Sequence, residues 1–106
     1  MGNKPRYREP PARSPMPLKW TNHALGDLAR LYEFLAPANS IAAAHAVQSL
    51  VGVAAKIQEN PRIGIKLGEF EPREVRRIFI ANYEVRYEIR ESIIYILRIW
   101  HTRENR

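Results

Sequence analysis

The feature that most constrains the fold is a run of eight residues, Tyr83 to Arg90, in which apolar and charged side chains alternate without a break. Successive side chains of a β-strand point to opposite faces, so this period of two predicts a strand with one buried face. Residues 74–80 precede the run across Ala81-Asn82, and residues 93–101 follow it across Glu91-Ser92. Both links are short enough for hairpins. This part of the chain is therefore predicted to be a three-stranded antiparallel β-meander.

A short strand, Leu18 to Trp20, and two helices are predicted before this sheet. Thr21 or Asn22 is placed to cap the first helix, and Pro37 ends it. Apolar residues recur there at spacings of three and four, which puts them on one face of the helix. They are Ala24, Leu28, Leu31 and Leu35.

The second helix is predicted to begin at Asn39 or Ser40 and to end at Asn60-Pro61, because proline disfavours helix in the residue before it. Its apolar stripe is predicted to contain Val47, Leu50, Val51, Ala54 and Ile57. The short link between the helices indicates an antiparallel hairpin. The predicted fold class is thus α+β: a short N-terminal strand added at a sheet edge, a two-helix hairpin and a C-terminal antiparallel β-meander.

The first fifteen residues differ in composition from the rest. They contain four prolines, four cations against one carboxylate (a net charge of +3), and almost nothing apolar. Such a segment buries too little surface to offset its ordering entropy. Residues 1–15 are therefore predicted to be a flexible, basic, proline-rich tail, and residues 16–106 one domain. Met16 resembles a natural start, so an over-extended gene start and a functional basic arm both stay open.

The whole chain carries a formal charge of +6 at pH 7, half of it in the tail, which suggests an acidic partner. Cysteine is absent, which fits a reducing compartment and excludes disulfides and thiolate chemistry. No apolar run approaches the roughly 18 residues of a membrane span, and the N-terminus lacks the apolar segment of a secretory signal. A cytoplasmic protein without a membrane partner is expected.

The predicted meander has apolar side chains on both faces. Two-residue turns would pair Ile80 with Tyr83 and Ile89 with Ile94 on the face that the helices cover. The opposite face is predicted to carry Arg77, Phe79, Glu84, Arg86, Glu88, Tyr95, Leu97, Ile99 and His101. Both helices are already used, so this apolar surface rimmed by arginine predicts a partner-binding site. The partner-binding residues predicted are Arg77, Phe79, Arg86, Tyr95, Leu97 and Ile99. The alternative is that a tail, a loop or a homodimer covers the last strand.

Several short motifs occur in the order and spacing of one protein family. They are Trp20-Thr21 with Ala24 and Asp27-Leu28; Asn60-Pro61 with Gly64 and Arg73-Glu74; Tyr83 and Tyr87; and residues 96–101 with Arg103. Together they resemble the ParE/RelE-type toxins of bacterial type II toxin–antitoxin systems, over everything except the tail. The resemblance implies a cognate antitoxin, usually a small acidic or DNA-binding protein, whose flexible segment wraps the toxin and neutralises it.

The resemblance leaves two mechanisms open. Members like ParE block DNA gyrase without chemistry of their own, whereas members like RelE cut messenger RNA on the ribosome. Cleavage requires cations that stabilise the phosphorane charge and an acid/base pair. The candidates for a metal-independent endoribonuclease are Arg77, Arg86 and Arg103, with His101 as general base.

Two departures favour the ParE-like branch. Glu84 stands where a RelE-like enzyme would have arginine, and a carboxylate there repels the scissile phosphate. The tyrosine expected a few residues beyond Arg103 is missing as well. His101 is then interpreted as a structural residue at the strand end. The expectation is a non-enzymatic toxin without catalytic residues or cofactors, bound by a cognate antitoxin and, by family implication, directed at DNA gyrase.

The remaining motifs receive structural interpretations. No metal site is expected, because His23 and His45 lie in different helices without carboxylate or cysteine companions at ligand spacing. Trp20 and Trp100 are interpreted as core anchors. A basic nucleic-acid-binding module is a second alternative, and its binding would fall steeply with salt even without residues 1–15.

Overall fold

The computed structural model of the protein describes residues 15–103, so the predicted tail lies almost wholly outside the described residues. The elements are β1 (Leu18–Trp20), α1 (Asn22–Leu35), α2 (Ser40–Glu59), β2 (Ile65–Lys66), β3 (Glu74–Ile80), β4 (Tyr83–Arg90) and β5 (Ile93–His101). A 3₁₀ turn, Gly68–Phe70, lies between β2 and β3. The α+β fold class is confirmed, and β2 and the 3₁₀ turn are additions to it.

The five strands form one sheet in the order β1-β5-β4-β3-β2. Strands β3, β4 and β5 make the predicted antiparallel meander, and β1 pairs in parallel with β5. The predicted pairs of Ile80 with Tyr83 and of Ile89 with Ile94 are both present. The turn between β4 and β5 holds Glu91 at φ 53° and Ser92 at φ 65°. Because neither residue favours that left-handed region, the strand pairing imposes the turn on the sequence.

Both helices pack on one face of the sheet. The fully buried core combines Ala24, Leu31, Leu50, Val53 and Ile57 from the helices with Val85, Tyr87, Ile94, Ile96 and Ile99 from the strands. The stripe predicted for α1 is confirmed, but the one predicted for α2 is partly wrong. Val51 is 47% exposed, and Val53 is buried in its place. Since α2 is apolar around much of its circumference, residue spacing alone does not select the buried side.

Helix α2 also corrects the expectation that no segment is apolar enough to cross a membrane. By length and composition alone, its 20 residues are long and apolar enough to cross a membrane. Core helices of soluble proteins pass the same test, and here Leu50, Ala54 and Ile57 pack in the core. One side of the helix therefore packs in the core of this domain, and the rest of its surface is largely exposed.

Strand β5 contains a β-bulge at Leu97. Tyr87 pairs with Ile96, whereas the next residue of β4, Arg86, pairs with Arg98, so one residue of β5 is left over. An extra residue reverses the facing of every side chain beyond it. Ile99 was predicted on the face opposite the helices, and this is wrong: Ile99 is fully buried in the core. His101 is likewise moved to the helix face, where it contacts the ring of Tyr83.

The bulge lies where the first turns of α1 meet β5. The Thr21 hydroxyl donates to the carbonyl oxygen of Ile96 at 2.7 Å and also accepts from the amide of Ala24, so it caps α1 and binds the strand at once. Further along α1, the Asp27 carboxylate accepts from the amide of Ile99 at 2.8 Å. We call these contacts the α1–β5 clasp. On the side of β5 that faces β1, strand pairing ends at Ile96, and the clasp satisfies backbone groups of β5 at and beyond that point.

Asp27 is almost fully buried and also receives two hydrogen bonds from Arg98, at 2.9 and 3.2 Å. Burial works to raise the pKa of this carboxyl, but hydrogen bonds from the Arg98 guanidinium and the Ile99 amide outweigh it and hold the pKa below its ordinary value. The carboxylate is therefore charged in the folded protein at neutral pH.

A second connection joins the loop after α2 to the sheet. The buried Tyr87 hydroxyl donates to the carbonyl oxygen of Pro61 at 2.7 Å and accepts from the amide of Gly64 at 2.9 Å. Burial raises the pKa of Tyr87, so the phenol stays protonated and can donate. A Cβ at position 64 would lie 2.7 Å from the Tyr87 hydroxyl and from the Arg77 carbonyl oxygen, so glycine is required there by close approach.

The clasp predicts an unequal cost for removing the two helix caps. Thr21→Ala removes a cap and a contact with β5, and should lower the free energy of unfolding by about 2 kcal/mol. Asn39→Ala removes only the exposed cap bond to the Ala42 amide and should cost about 1 kcal/mol. Thr21→Ser keeps the hydroxyl and should behave like the parent chain. Urea unfolding measures all three, and equal costs for the two alanine variants would contradict the clasp.

The lowered pKa of Asp27 predicts a pH dependence of stability. A carboxyl whose folded pKa is depressed stabilises the protein above its unfolded pKa, near 3.8, and this contribution is lost as pH falls through the folded value. Asp27→Asn should therefore cost about 1–3 kcal/mol at pH 7, and the difference from the parent should shrink below pH 3.8. Urea unfolding at several pH values gives the test, with Glu69→Gln as an exposed control. A difference that is constant down to acid pH would refute the role of charge.

Candidate functional site

The face of the sheet turned away from both helices is here called the open face. It carries Arg77, Phe79, Glu84, Arg86, Glu88, Tyr95 and Trp100, with Leu97 at the bulge. A loop covers one end of it, since the Phe70 ring lies 5.6 Å from the Arg86 guanidinium. The opposite end keeps a large apolar side chain in solvent, because Phe79 is 48% exposed.

Arginines stack on the aromatic rings of the open face. Arg86 lies between two rings, 4.7 Å from that of Trp100 and 5.6 Å from that of Phe70. Arg98 covers Trp100 at 5.2 Å, and Arg73 lies 5.9 Å from Phe70. Arginine and aromatic side chains therefore alternate along a row across the face. Cation–π contacts of this kind shield apolar surface that the helices do not reach.

Carboxylates hold several of these arginines in place. Glu84 is fully buried and accepts from Arg86 at 2.8 Å. Glu88 accepts two hydrogen bonds from Arg73, at 2.9 and 3.1 Å. Those bonds lower the pKa of Glu88, and burial opposes them only in part. These carboxylates neutralise much of the positive charge on the open face. Fewer of its arginines are therefore available to an acidic partner than the sequence indicates.

Arg77 is the exception in this arrangement. Its guanidinium lies 5.2 Å from the Phe79 ring, and within residues 15–103 its buried Nε finds no hydrogen-bond acceptor. No carboxylate of the described segment forms an ion pair with it. A cation beside a half-exposed phenylalanine offers a partner both an apolar contact and a charge. Arg77 and Phe79 are therefore the strongest candidates for a binding contact on this face.

Of the partner-binding residues predicted from the sequence, Arg77, Phe79, Arg86, Tyr95 and Leu97 lie on the open face. Tyr95 and Leu97 are partly exposed, and Arg90 stacks over Tyr95 at 4.4 Å. Ile99 lies in the core. The interpretation of Trp100 as a core anchor is also wrong, because the bulge turns its ring to the open face, whereas Trp20 does pack against the core.

The four residues proposed for RNA cleavage do not converge. Arg77 and Arg86 pair with each other on the open face, and Arg86 is bound to Glu84. His101 and Arg103 lie on the helix side of the sheet instead. The Nδ1 atom of His101 accepts from the Arg103 amide at 3.1 Å, which is a contact of the strand end. The sheet therefore separates the candidate base from two of the three candidate cations.

A cleft lies on that second side, between the last turns of α1 and the ends of β4 and β5. Among residues 15–103, its lining is formed by Arg30, Leu31, Phe34, Leu35, Tyr83, His101 and Arg103, and its volume is about 620 Å³. Phe34 is 79% exposed. His101 packs edge-on against Tyr83, with ring centroids 5.3 Å apart. This cleft was not predicted from the sequence. The available signal was Phe34, a large apolar residue outside the buried stripe of α1.

Metal ligation has little support in the described part of the chain. Residues 15–103 contain no group of three or more histidine, cysteine or acidic side chains placed to hold an ion. His23 and His45 are both exposed, in different helices. The two surfaces present cations, aromatic rings and aliphatic side chains.

Comparisons with known proteins agree with this architecture. The family model described as "ParE toxin of type II toxin-antitoxin system, parDE" matches residues 18–106. Among solved structures, the chromosomal ParDE toxin–antitoxin system from P. aeruginosa is similar, with a TM-score of 0.69 and 27% sequence identity. The match covers 81% of this chain and 95% of that one. No curated protein matches. Because the family model spans most of the chain, the protein belongs to the ParE toxin family of type II toxin–antitoxin systems.

Proposed function

We propose that this ParE-family toxin acts in the cytoplasm without chemistry of its own, inhibits DNA gyrase, and is neutralised by a cognate antitoxin that binds the open face. The family itself implies an antitoxin partner. The gyrase target rests on the likeness to ParE proteins and on no particular residue of this chain. The observation that carries the binding proposal is the pair formed by Arg77 and Phe79 at the uncovered end of the sheet.

Three features of the open face support docking of an acidic, partly apolar segment. Phe79 is half exposed, and the arginine beside it forms no ion pair within the described residues. The rings of Tyr95 and Trp100 extend the surface toward β5. A partner carboxylate near Arg77 would add a charge contact at the rim of an apolar patch, the arrangement typical of protein interfaces.

The non-catalytic mechanism is supported by the separation of the candidate catalytic residues. A ribonuclease needs its base and cations around one phosphate. Here His101 and Arg103 lie on the side of the sheet away from Arg77 and Arg86. The fully buried Glu84 also places negative charge beside Arg86. An mRNA endonuclease of the RelE type is therefore the less favoured alternative.

The proposal is tested with purified full-length toxin in three assays. It should inhibit DNA supercoiling by gyrase, leave messenger RNA uncut on ribosomes, and bind the product of the neighbouring antitoxin gene. Ribosome-dependent cleavage without gyrase inhibition would replace the proposal with the endonuclease alternative. Salt-sensitive binding to DNA that survives deletion of residues 1–15, without either activity, would favour a nucleic-acid-binding module.

Variants of the open face test where the antitoxin binds. Arg77→Glu and Phe79→Ala should each weaken antitoxin binding about tenfold, measured by calorimetry. Lys56→Glu is the matched charge control, because Lys56 is an exposed lysine of α2, on the helix side of the sheet. Thermal unfolding shows whether each variant is folded. Unchanged affinity for both open-face variants would place the antitoxin elsewhere.

A further inference from the structure

We propose that the outer edge of β1 is a second docking site, where an extended acidic segment of a partner adds to the sheet as a sixth strand beside Leu18–Trp20. That this partner is the antitoxin rests on the function proposed above, whereas the extended form and the charge of the segment follow from the edge itself. Strands β5 and β4 separate the site from Arg77 and Phe79 of β3.

The backbone of β1 directs hydrogen-bonding groups to both of its sides. The carbonyl of Pro17 and the amide of Thr21 bind backbone groups of β5. The amide and the carbonyl of Met16 point the other way and bind the last turn of α2. Because this direction alternates from residue to residue, the amides and carbonyls of Leu18 and Trp20 share the outward direction of Met16.

The position of β1 leaves these outward groups at a sheet edge. It is the terminal strand of the sheet formed by residues 15–103, so no strand of that sheet lies on its outer side. Strand β2, at the opposite edge, has only two residues. The row of backbone donors and acceptors on β1 is therefore the longer template for an added strand, and main-chain pairing of this kind recognises extended segments.

Lys19, at the centre of β1, sets the charge of the added segment. Its side chain is exposed on the open face, where it pairs with Tyr95, whereas Leu18 and Trp20 pack against the core on the other face. An added strand would thus place apolar side chains beside Leu18 and Trp20 and a polar one beside Lys19. A carboxylate in that position forms a cross-strand pair of opposite charges.

Two other occupants fit this edge less well. A second copy would pair antiparallel, with Leu18 of one copy opposite Trp20 of the other, which sets the two Lys19 side chains directly against each other. Residues 1–14 carry four cations against one carboxylate, and their three prolines supply no amide hydrogen. A lysine at the centre of an edge strand therefore opposes self-pairing and admits an acidic partner.

Amide hydrogen exchange on the full-length ¹⁵N-labelled toxin, made by cell-free synthesis, tests strand addition. The probe is the end-blocked peptide TEVEVET, which alternates acidic and apolar residues and reads the same in both directions. In the unbound toxin the amides of Leu18 and Trp20 should exchange fast, whereas the amide of Lys19, which points to β5, should be protected. Saturating peptide should slow exchange at Leu18 and Trp20 about tenfold and leave Lys19 unchanged.

Two control peptides separate backbone pairing from charge. TEPEPET lacks the amides that would pair with Leu18 and Trp20 and should not slow their exchange. TKVKVKT keeps those amides and should bind about tenfold more weakly than TEVEVET. Protection of Leu18 and Trp20 in the unbound toxin, their unchanged exchange with saturating TEVEVET, or equal protection by TEPEPET would overturn the proposal.

A charge swap in the toxin gives the second measurement. Lys19→Glu should weaken TEVEVET binding about fivefold and strengthen TKVKVKT binding. Lys56→Glu makes the same change of net charge at an exposed position of α2 and should bind TEVEVET like the parent. Both side chains are exposed, so both variants should fold, which thermal unfolding confirms. Equal losses in the two variants would show an effect of net charge alone and contradict selection by Lys19.

The purified antitoxin separates this inference from the proposed function. If the antitoxin binds and slows exchange at Leu18 and Trp20, it supplies the added strand. If it binds and both amides still exchange fast, the assignment of this edge to the antitoxin is wrong and the proposed function stands. If the antitoxin does not bind the parent toxin, the proposed function fails, and with it that assignment, while the peptide experiment still decides whether the edge accepts an acidic strand.

Discussion

The α1–β5 clasp is the interaction on which the two surfaces of this toxin depend. Thr21 binds the carbonyl oxygen just before the bulge, and Asp27 binds the amide just after it. Leu97, the extra residue, lies between these two fixed points. Because a bulge exchanges the two faces of a strand, the clasp decides that Ile99 enters the core and Trp100 faces away from the helices. The same exchange places His101 at the cleft.

Much of this fold follows from the sequence because its elements have clear periods. The perfect alternation of β4 was enough to predict how β3 pairs with β4 and how residues 87–90 of β4 pair with β5. The cap residues and prolines were enough to predict both helices. Strand β5 is different. Its sequence is apolar at nearly every position, so no alternation with polar residues shows which side chains face the helices and which face away. The bulge was invisible for that reason, and Ile99, Trp100 and His101 were assigned to the wrong faces.

The candidate surfaces show the same limit. Arg77 and Phe79 were placed correctly, since β3 pairs with β4 through a short turn and without a bulge. The row of stacked arginines was not foreseen, because it needs Phe70 from a loop and Trp100 from beyond the bulge. The cleft brings the end of α1 to the end of β5, far apart in the chain. The spacing of residues along the sequence does not predict this contact, because the contact depends on the angle at which the helices pack on the sheet.

Gly64 and Tyr87 are in close contact, although they lie far apart in the sequence. The phenol oxygen of Tyr87 fills the space that a side chain at Gly64 would need, and it satisfies both the Pro61 carbonyl and the Gly64 amide. A phenylalanine at 87 would leave those two polar groups without their partner, while an alanine at 64 would displace the oxygen that serves them. In related proteins we therefore expect the residues at these two positions to change together, so that Gly64 and Tyr87 are either both present or both replaced.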